Sequence, residues 1–137
     1  MADKIRLRVV TPARVVLDEE VDEVTGPGVK GEFGVLPNHI SFLSLLEPGE
    51  MSYKQGATRR SLALSGGYAE VLDNVMTVLA PVAEFGSEID VDRARMAKDK
   101  AERRLSELHF EDKDFAAAEV ALRRALIRLR VAAKEAR

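Results

Sequence analysis

A chain of 137 residues with 21 basic and 23 acidic side chains carries a formal charge of −2 and is long enough to bury a core without covalent staples. It has no cysteine, which removes disulfides, thiolate nucleophiles and cysteine-ligated metal centres, and only two histidines, His39 and His109. Near-neutral charge gives no global reason for nucleic-acid binding, no apolar run approaches the ~20 residues of a membrane-spanning helix, and the MADKIRLRVV start lacks a signal-peptide core, so a soluble intracellular protein is expected.

Along the chain, the first part reads as short strands. Ile5, Leu7 and Val9 alternate with Lys4, Arg6 and Arg8, the period of a half-buried strand. Val21 and Val24 sit in a second strand candidate. Met51 and Tyr53 alternate with Ser52 and Lys54, Leu62 and Leu64 with Ser61, Ala63 and Ser65, and Val71 and Val75 to Leu79 give two further runs. Pro48-Gly49, Gln55-Gly56, Gly66-Gly67 and Asp73-Asn74 fall between them as turns. This close spacing predicts an antiparallel sandwich or flattened barrel.

All nine glycines and all five prolines lie at or before Gly86, and the remainder is rich in Ala, Arg, Lys, Glu and Leu. The composition break divides the chain into a β-sandwich domain, residues 1–86, and a helical domain, residues 87–137, an α+β architecture. The first helix starts near Asp90 or Asp92, where a carboxylate caps free N–H groups, and carries Ala94, Ala97, Ala101, Leu105 and Leu108 on one stripe. Asp114 can cap a second helix with a matching stripe of Phe115, Ala118, Leu122, Ala125, Leu126, Leu129 and Ala133. Two helices joined by a short polar turn make an antiparallel hairpin. Val120, Ile127 and Val131 lie roughly opposite the second helix's main stripe. One internal seam cannot bury both faces, so the extra stripe needs the sheet domain or another protein.

Candidate chemistry is sparse. Gly26-Pro27-Gly28-Val29-Lys30-Gly31 matches G-x-G-x-x-G, but the glycine and proline that follow forbid the helix a dinucleotide loop requires, and a turn between strands explains it better. Asp90-x-Asp92 lacks the further ligands of a metal pair and reads as helix capping. His39 has no nucleophile to serve and reads as an interface residue in a loop; His109 sits in the hairpin turn. On the last helix Arg123, Arg124, Arg128, Arg130, Lys134 and Arg137 face only Glu119 and Glu135. A solvated face is the ordinary reading; docking on an acidic protein surface and anion binding are the sharper ones, since Arg124 and Arg128 point the same way, as do Arg93 and Lys100.

The sequence resembles the epsilon subunit of bacterial F-type ATP synthase, over essentially its whole length. The resemblance rests on Gly31-Glu32-Phe33-Gly34-Val35-Leu36-Pro37-Asn38-His39, on Val10-Thr11-Pro12, on Leu64-Ser65-Gly66-Gly67-Tyr68-Ala69-Glu70-Val71, on Val78-Leu79-Ala80 and on Ala121-Leu122-Arg123-Arg124-Ala125. It implies a sandwich of about ten strands followed by a helix–turn–helix. It also implies a non-catalytic rotor subunit of the central stalk, with no required cofactor, no metal, and no homo-oligomer. The sheet domain would bind the gamma subunit and rest on the c-ring, with Glu32 and His39 in the corresponding loop, peripheral to the cytoplasmic face of the bacterial inner membrane. The hairpin would fold down on the sheet domain, or extend along gamma towards the catalytic alpha and beta subunits and block ATP hydrolysis.

Some members of that family bind ATP in the folded-down form through an I/L-D-x-x-R-A motif, which Ile89-Asp90-Val91-Asp92-Arg93-Ala94 fits. Glu84, Arg124 and Arg128 also match, while Lys100 stands where the family has an arginine, keeping the charge and losing the bidentate fork. The expected ATP-binding set is therefore Glu84, Ile89, Asp90, Arg93, Ala94, Lys100, Arg124 and Arg128, with ATP as a regulatory ligand that favours the compact form. The rivals are a stand-alone ATP-binding sensor or adaptor, a nucleotide-dependent enzyme and a nucleic-acid binder using the basic helix.

Overall fold

Alternation in the first segment does what it predicts. In a computed structural model that describes residues 3–135, β1 (Ile5–Val10) turns Ile5, Leu7 and Val9 fully inward and Arg6 and Arg8 outward. β2 (Val15–Val21) pairs with it antiparallel. β3 (Glu23–Gly28), β4 (Gly31–Val35), β5 (Phe42–Gln55), β6 (Thr58–Leu72), β7 (Val75–Leu79) and β8 (Ala83–Phe85) complete a sheet of order β2-β1-β7-β6-β5-β3-β4, with β8 on β6. All neighbours are antiparallel except β1 and β7, which run parallel.

The sandwich has eight strands where about ten were expected from the resemblance. The difference lies in β5 and β6. Pro48-Gly49 and Gly66-Gly67 are not turns: they sit inside single strands of 14 and 15 residues. Pairing runs from Leu46–Gly67 to Pro48–Ser65, leaving Glu47 and Gly66 out of register together, so both strands bend at one place. Gly66 and Gly67 adopt φ of 116° and 114°, which side chains resist, and a Cβ on Gly67 would lie 2.0 Å from the Leu79 carbonyl oxygen. The bent pair takes part in both halves of the sandwich: the first half of β5 and second half of β6 lie beside β7, the other halves beside β3 and β8.

Gly26-Pro27-Gly28 is likewise strand, not turn; the chain reverses at Val29-Lys30. Val21 and Val24 belong to two strands, parted at Asp22, whose carboxylate takes the Gly56 N–H at 2.7 Å and the Lys4 ammonium. Asp73-Asn74 and Gln55-Gly56 mark the expected reversals, with φ of 49° and 62° at Asp73 and Asn74. The core between the halves joins Ile5, Leu7, Val9, Val21, Val24, Val35, Met51, Tyr53, Leu62, Val71, Met76 and Val78.

A single 3-10 turn, Gly86–Glu88, leads into α1 (Val91–Glu107), whose Asp90 cap accepts the Arg93 N–H at 3.1 Å. α2 (Phe115–Glu135) returns antiparallel. Asp114 precedes it and its carbonyl accepts the Ala118 N–H, while its carboxylate meets Arg104 across the turn at 3.3 Å. Ala94, Ala101, Ala118 and Ala125 are buried, whereas Ala97, Leu126 and Ala133, placed on the seam stripes by periodicity, are exposed. Leu105, Leu108, Leu122 and Leu129 of the same stripes are half-buried, and the other face of α2 packs on the sandwich. Ile127, Val131 and Ala132 close a second apolar cluster with Ala63, Ile89 and Ala94. Of the second stripe, Ile127 and Val131 are buried and Val120 half-buried. The sheet domain is therefore the partner that stripe required.

Candidate functional site

The docking surface follows from strand register. Glu50 of β5, Ala63 of β6 and Glu84 of β8 are direct cross-strand partners, so they stand in a row on the outer face of the sheet. The middle position is small, and α2 lies over it. At ~100° per residue Ile127 and Val131 point down, Arg124 and Arg128 leave on one flank, and Arg123, Arg130 and Lys134 leave on the other. Arg128 makes a two-pronged pair with Glu84, Nε at 2.9 Å and a terminal nitrogen at 3.1 Å. Glu50 receives Arg130 at 3.3 Å and Lys134, and Arg123 lies 3.8 Å from Glu47. Arg60, stacked 4.2 Å over the Phe85 ring, meets Glu135 at 3.2 Å. The basic face of the last helix, which composition leaves as a solvated surface, is thus largely taken up by carboxylates of the same chain. Arg137 lies outside the described residues.

On the Glu84 flank a cavity of about 530 Å³ opens at the seam. Its walls come from three places: Ala63, Leu64 and Ser65 of β6 with Val82 and Glu84, then Arg93 and Ala97 of α1, then Ala121, Arg124, Ala125, Ile127 and Arg128 of α2. Four members of the expected ATP set, Glu84, Arg93, Arg124 and Arg128, are brought together here. Among the described residues neither Arg93 nor Arg124 is ion-paired; Arg124 reaches only the Ser65 carbonyl, at 3.5 Å. Two free guanidiniums beside one carboxylate-held guanidinium suit an anionic, polyphosphate-like guest above an apolar floor.

The other members stand apart from the cavity wall. Ile89 is buried in the cluster under α2, Ala94 is fully buried beneath it, and Asp90 is engaged as the α1 cap. Lys100 is exposed on α1 and does not line the cavity. Periodicity missed Ser65, Val82, Ala97 and Ala121 as lining residues. Ala97 and Ala121 carry a signal in hindsight: they are small residues on neighbouring helix turns to Arg93 and Arg124, and leave room beside them.

The two expected interface residues part company: Glu32 borders a groove of about 1030 Å³ shared with Glu47, Glu50 and the Arg123, Arg130 and Lys134 flank of α2, whereas His39 lies elsewhere on the sandwich. Glu32 is exposed on β4. His39 follows it in the loop, its Nδ1 2.8 Å from the Ile40 carbonyl oxygen and its ring edge-on to Phe42 at 5.7 Å. The same region exposes Leu36, Ile40, Leu43 and Leu45, with Tyr68 opposite Leu45 across the strand pair and Leu72 further along β6. A row of large apolar side chains on an outer face marks an interaction surface. The sequence signal was present: in Phe42-Leu43-Ser44-Leu45-Leu46 apolar residues fall on both faces of one strand, more than one core can bury.

No group of three or more His, Cys, Asp and Glu side chains is placed to hold a metal among the described residues, and no helix there is long and apolar enough to cross a membrane.

The fold defines the class first: a β-sandwich that carries a two-helix hairpin, with an arginine-lined cavity at their junction. Residues 4–86 match the family described as "ATP synthase, Delta/Epsilon chain, beta-sandwich domain", and residues 87–133 match "ATP synthase, Delta/Epsilon chain, long alpha-helix domain". The chain is 54% identical over 134 residues to the ATP synthase epsilon chain of Syntrophobacter fumaroxidans, covering 98% of this chain and 99% of that one. It is 50% identical over 137 residues to that of Geotalea daltonii, covering 100% and 99%. Among solved structures it superposes with TM-score 0.77 and 26% identity on a chain of the Euglena gracilis mitochondrial ATP synthase, spanning 97% of this chain and 81% of that one. A second likeness, to a chain of the Tetrahymena thermophila mitochondrial ATP synthase central stalk and c-ring, has TM-score 0.58 at 15% identity, covers 98% of each chain and shows the fold alone. This chain belongs to the ATP synthase delta/epsilon family, and within it to the bacterial epsilon chains.

Proposed function

We propose that this subunit is a non-catalytic element of the ATP synthase rotor, joining gamma to the c-ring at the cytoplasmic face of the membrane, and that its hairpin is an ATP-sensitive brake on hydrolysis. The exposed apolar row Leu36, Ile40, Leu43, Leu45 and Tyr68, beside His39, supports the coupling role: it is a surface on the sandwich whose residues take no part in the hairpin's ion pairs.

The observation that carries the brake is the composition of the cavity wall. Sandwich, α1 and α2 each contribute, so the cavity exists only while the hairpin is docked. A ligand held there binds one conformer and not the other, and must shift the population towards the docked form by its difference in affinity. High ATP then keeps the hairpin down. When ATP falls, the hairpin leaves and presents Ile127, Val131 and the freed α2 cations to gamma and to acidic surfaces of the alpha and beta subunits, arresting hydrolysis. The docked interface suits release: its apolar contacts include the small side chains Ala63, Ala94 and Ala132, and its outer ion pairs, Arg60–Glu135 and Arg123–Glu47, are partly exposed and worth only about 0–1 kcal/mol each.

Titration of the purified protein with ATP, followed by calorimetry and backbone amide NMR, tests this. Saturable binding with shifts at Arg93, Arg124 and Arg128 is the expected result. Absence of binding at millimolar ATP would remove the sensor and leave the rotor role standing.

A further inference from the structure

The two flanks of the α2 clamp are not equivalent. The Glu84 flank opens into the cavity, and its Arg128 and Arg124 are the groups a nucleotide would engage. The Glu50 flank borders a separate groove of about 1030 Å³, whose cations Arg123, Arg130 and Lys134 are all paired with Glu47 or Glu50. Glu50 lies on the far side of the Ala63 row, its side chain only 14% exposed, and holds two cations from successive turns near the end of α2. Glu47, one bend earlier on β5, adds Arg123.

We propose that Glu50 is a nucleotide-independent latch: its charge sets how firmly α2 is held on the sandwich, and so fixes the resting position of the hairpin before any ligand binds. This rests on the reading of the hairpin as a brake and adds the residue that tunes it.

First, the geometry separates the functions. Arg130 and Lys134 leave α2 on the side opposite Arg124 and Arg128, so Glu50 can change docking without touching the cavity wall. Second, the balance of forces has a definite sign. Burial under α2 pushes the Glu50 carboxyl up, but hydrogen bonds from Lys134 and Ser61 and the charges of Lys134 and Arg130 more than offset this and hold it below the ordinary carboxylate range. The docked form therefore prefers the ionised carboxylate, and ionised Glu50 favours docking by the same linkage. Third, leverage is placed where it is needed. Glu50 and the Gly86–Glu88 turn grip the last turns of α2, while the hairpin tip around Phe110 stands free, Phe110 being 82% exposed. A helix pair of this size is marginal alone, so once the grip on α2 is lost the helix amides lose protection as well.

That coupling supplies the assay. Native-state hydrogen exchange of the α2 amides Ile127–Val131 reads undocking, with the buried strand residues Val71 and Val78 as the reference for global unfolding. Glu50→Gln should lower α2 protection about tenfold, the effect of losing a charge-assisted pair, with Val71 and Val78 unchanged. Arg130→Gln combined with Lys134→Gln, made on the exposed helix side, should reproduce the loss and guards against a strand mutation that disturbs β5. The reversed arrangement, Glu50→Lys with Arg130→Glu and Lys134→Glu, should restore protection, which a residue of purely steric importance would not do. Raising salt should weaken α2 protection in the parent and much less in Glu50→Gln. Unchanged α2 protection in both charge-neutral variants overturns the latch. Failure of the brake reads differently: altered exchange in Glu50→Gln, with hydrolysis by the assembled synthase the same for parent and variant, keeps the latch and refutes the brake.

Discussion

Gly86 is where the closest approach between hairpin and sandwich can be tested by adding one carbon. Its backbone is not in the left-handed region, so alanine carries no conformational penalty there; the cost is space. A Cβ on Gly86 would stand 2.5 Å from the Val131 carbonyl oxygen, where an ordinary contact begins near 3.4 Å, and 2.3 Å from Cγ of Glu135. The Glu135 side chain can swing away, giving up its pair with Arg60. The Val131 carbonyl is helix backbone and cannot move alone, so α2 must lift by about 0.9 Å at this turn. Such a displacement loosens the contact of Val131 and Ile127 with Ala63. Overpacking of this kind costs about 1–3 kcal/mol, which lowers the docked-to-open ratio by about 5- to 150-fold. Limited trypsin digestion reads that ratio, because Arg123, Arg124, Arg128 and Arg130 become cleavable when α2 comes free, and cleavage tracks the open population while closing is fast. Gly86→Ala should accelerate cleavage in α2 by that factor without exposing sites in the sandwich. Gly34→Ala is the control: a Cβ there meets nothing within 4 Å, and the rate should not change. Equal digestion of Gly86→Ala and the parent would show that α2 is not seated on the turn, and would refute the docking geometry from which the cavity and the latch both follow.

Other expectations rest on separate contacts. Arg93→Ala and Arg124→Ala should each weaken ATP binding several-fold by calorimetry, whereas Lys100→Ala, outside the cavity wall, should leave it near the parent value. Leu62→Ala, at a fully buried position, should destabilise the sandwich by about 2–5 kcal/mol in urea unfolding, and a smaller loss would mean the site collapses around the cavity. Asp90→Ala should cost about 1 kcal/mol by removing the α1 cap, read as earlier thermal loss of helix by circular dichroism. Hydrogen bonding from Arg6 holds Asp18 low, that from Lys4 holds Asp22 low, and Glu50 is held low despite its burial. Carboxyls depressed in the folded state contribute stability that is present above the unfolded carboxylate range and lost as pH falls through the folded values. Thermal stability should therefore be flat above about pH 5 and decline below about pH 4; a decline beginning near neutrality would implicate other groups.

Much of the architecture was legible from residue order. Period-two alternation located β1 and the inner faces of β5 and β6, because one-sided burial writes itself into side-chain chemistry, and the apolar run Val75 to Leu79 located β7. The break at Gly86 and the alanine stripes gave the hairpin. What misled were Pro48-Gly49, Gly66-Gly67 and Gly26-Pro27-Gly28, read as reversals. Glycine and proline report local backbone freedom, and a bend within a strand needs that freedom as much as a turn does. Only pairing with a neighbour that bends at the same place separates the two.

By itself, then, the sequence determined where strands give way to helices, the excess of apolar surface on α2, and the gathering of cations on the last helix. These are properties of single segments, set by local geometry and by the fact that apolar faces must be covered. Which surface covers α2, and which carboxylates meet its cations, was decided in three dimensions. Glu50, Ala63 and Glu84 are separated by 13 and 21 positions in the chain, and they form one row only because β5, β6 and β8 pair in a particular register. Register depends on the packing of the whole sandwich, so the row, the cavity beside it and the clamp across it are tertiary facts that no local pattern encodes.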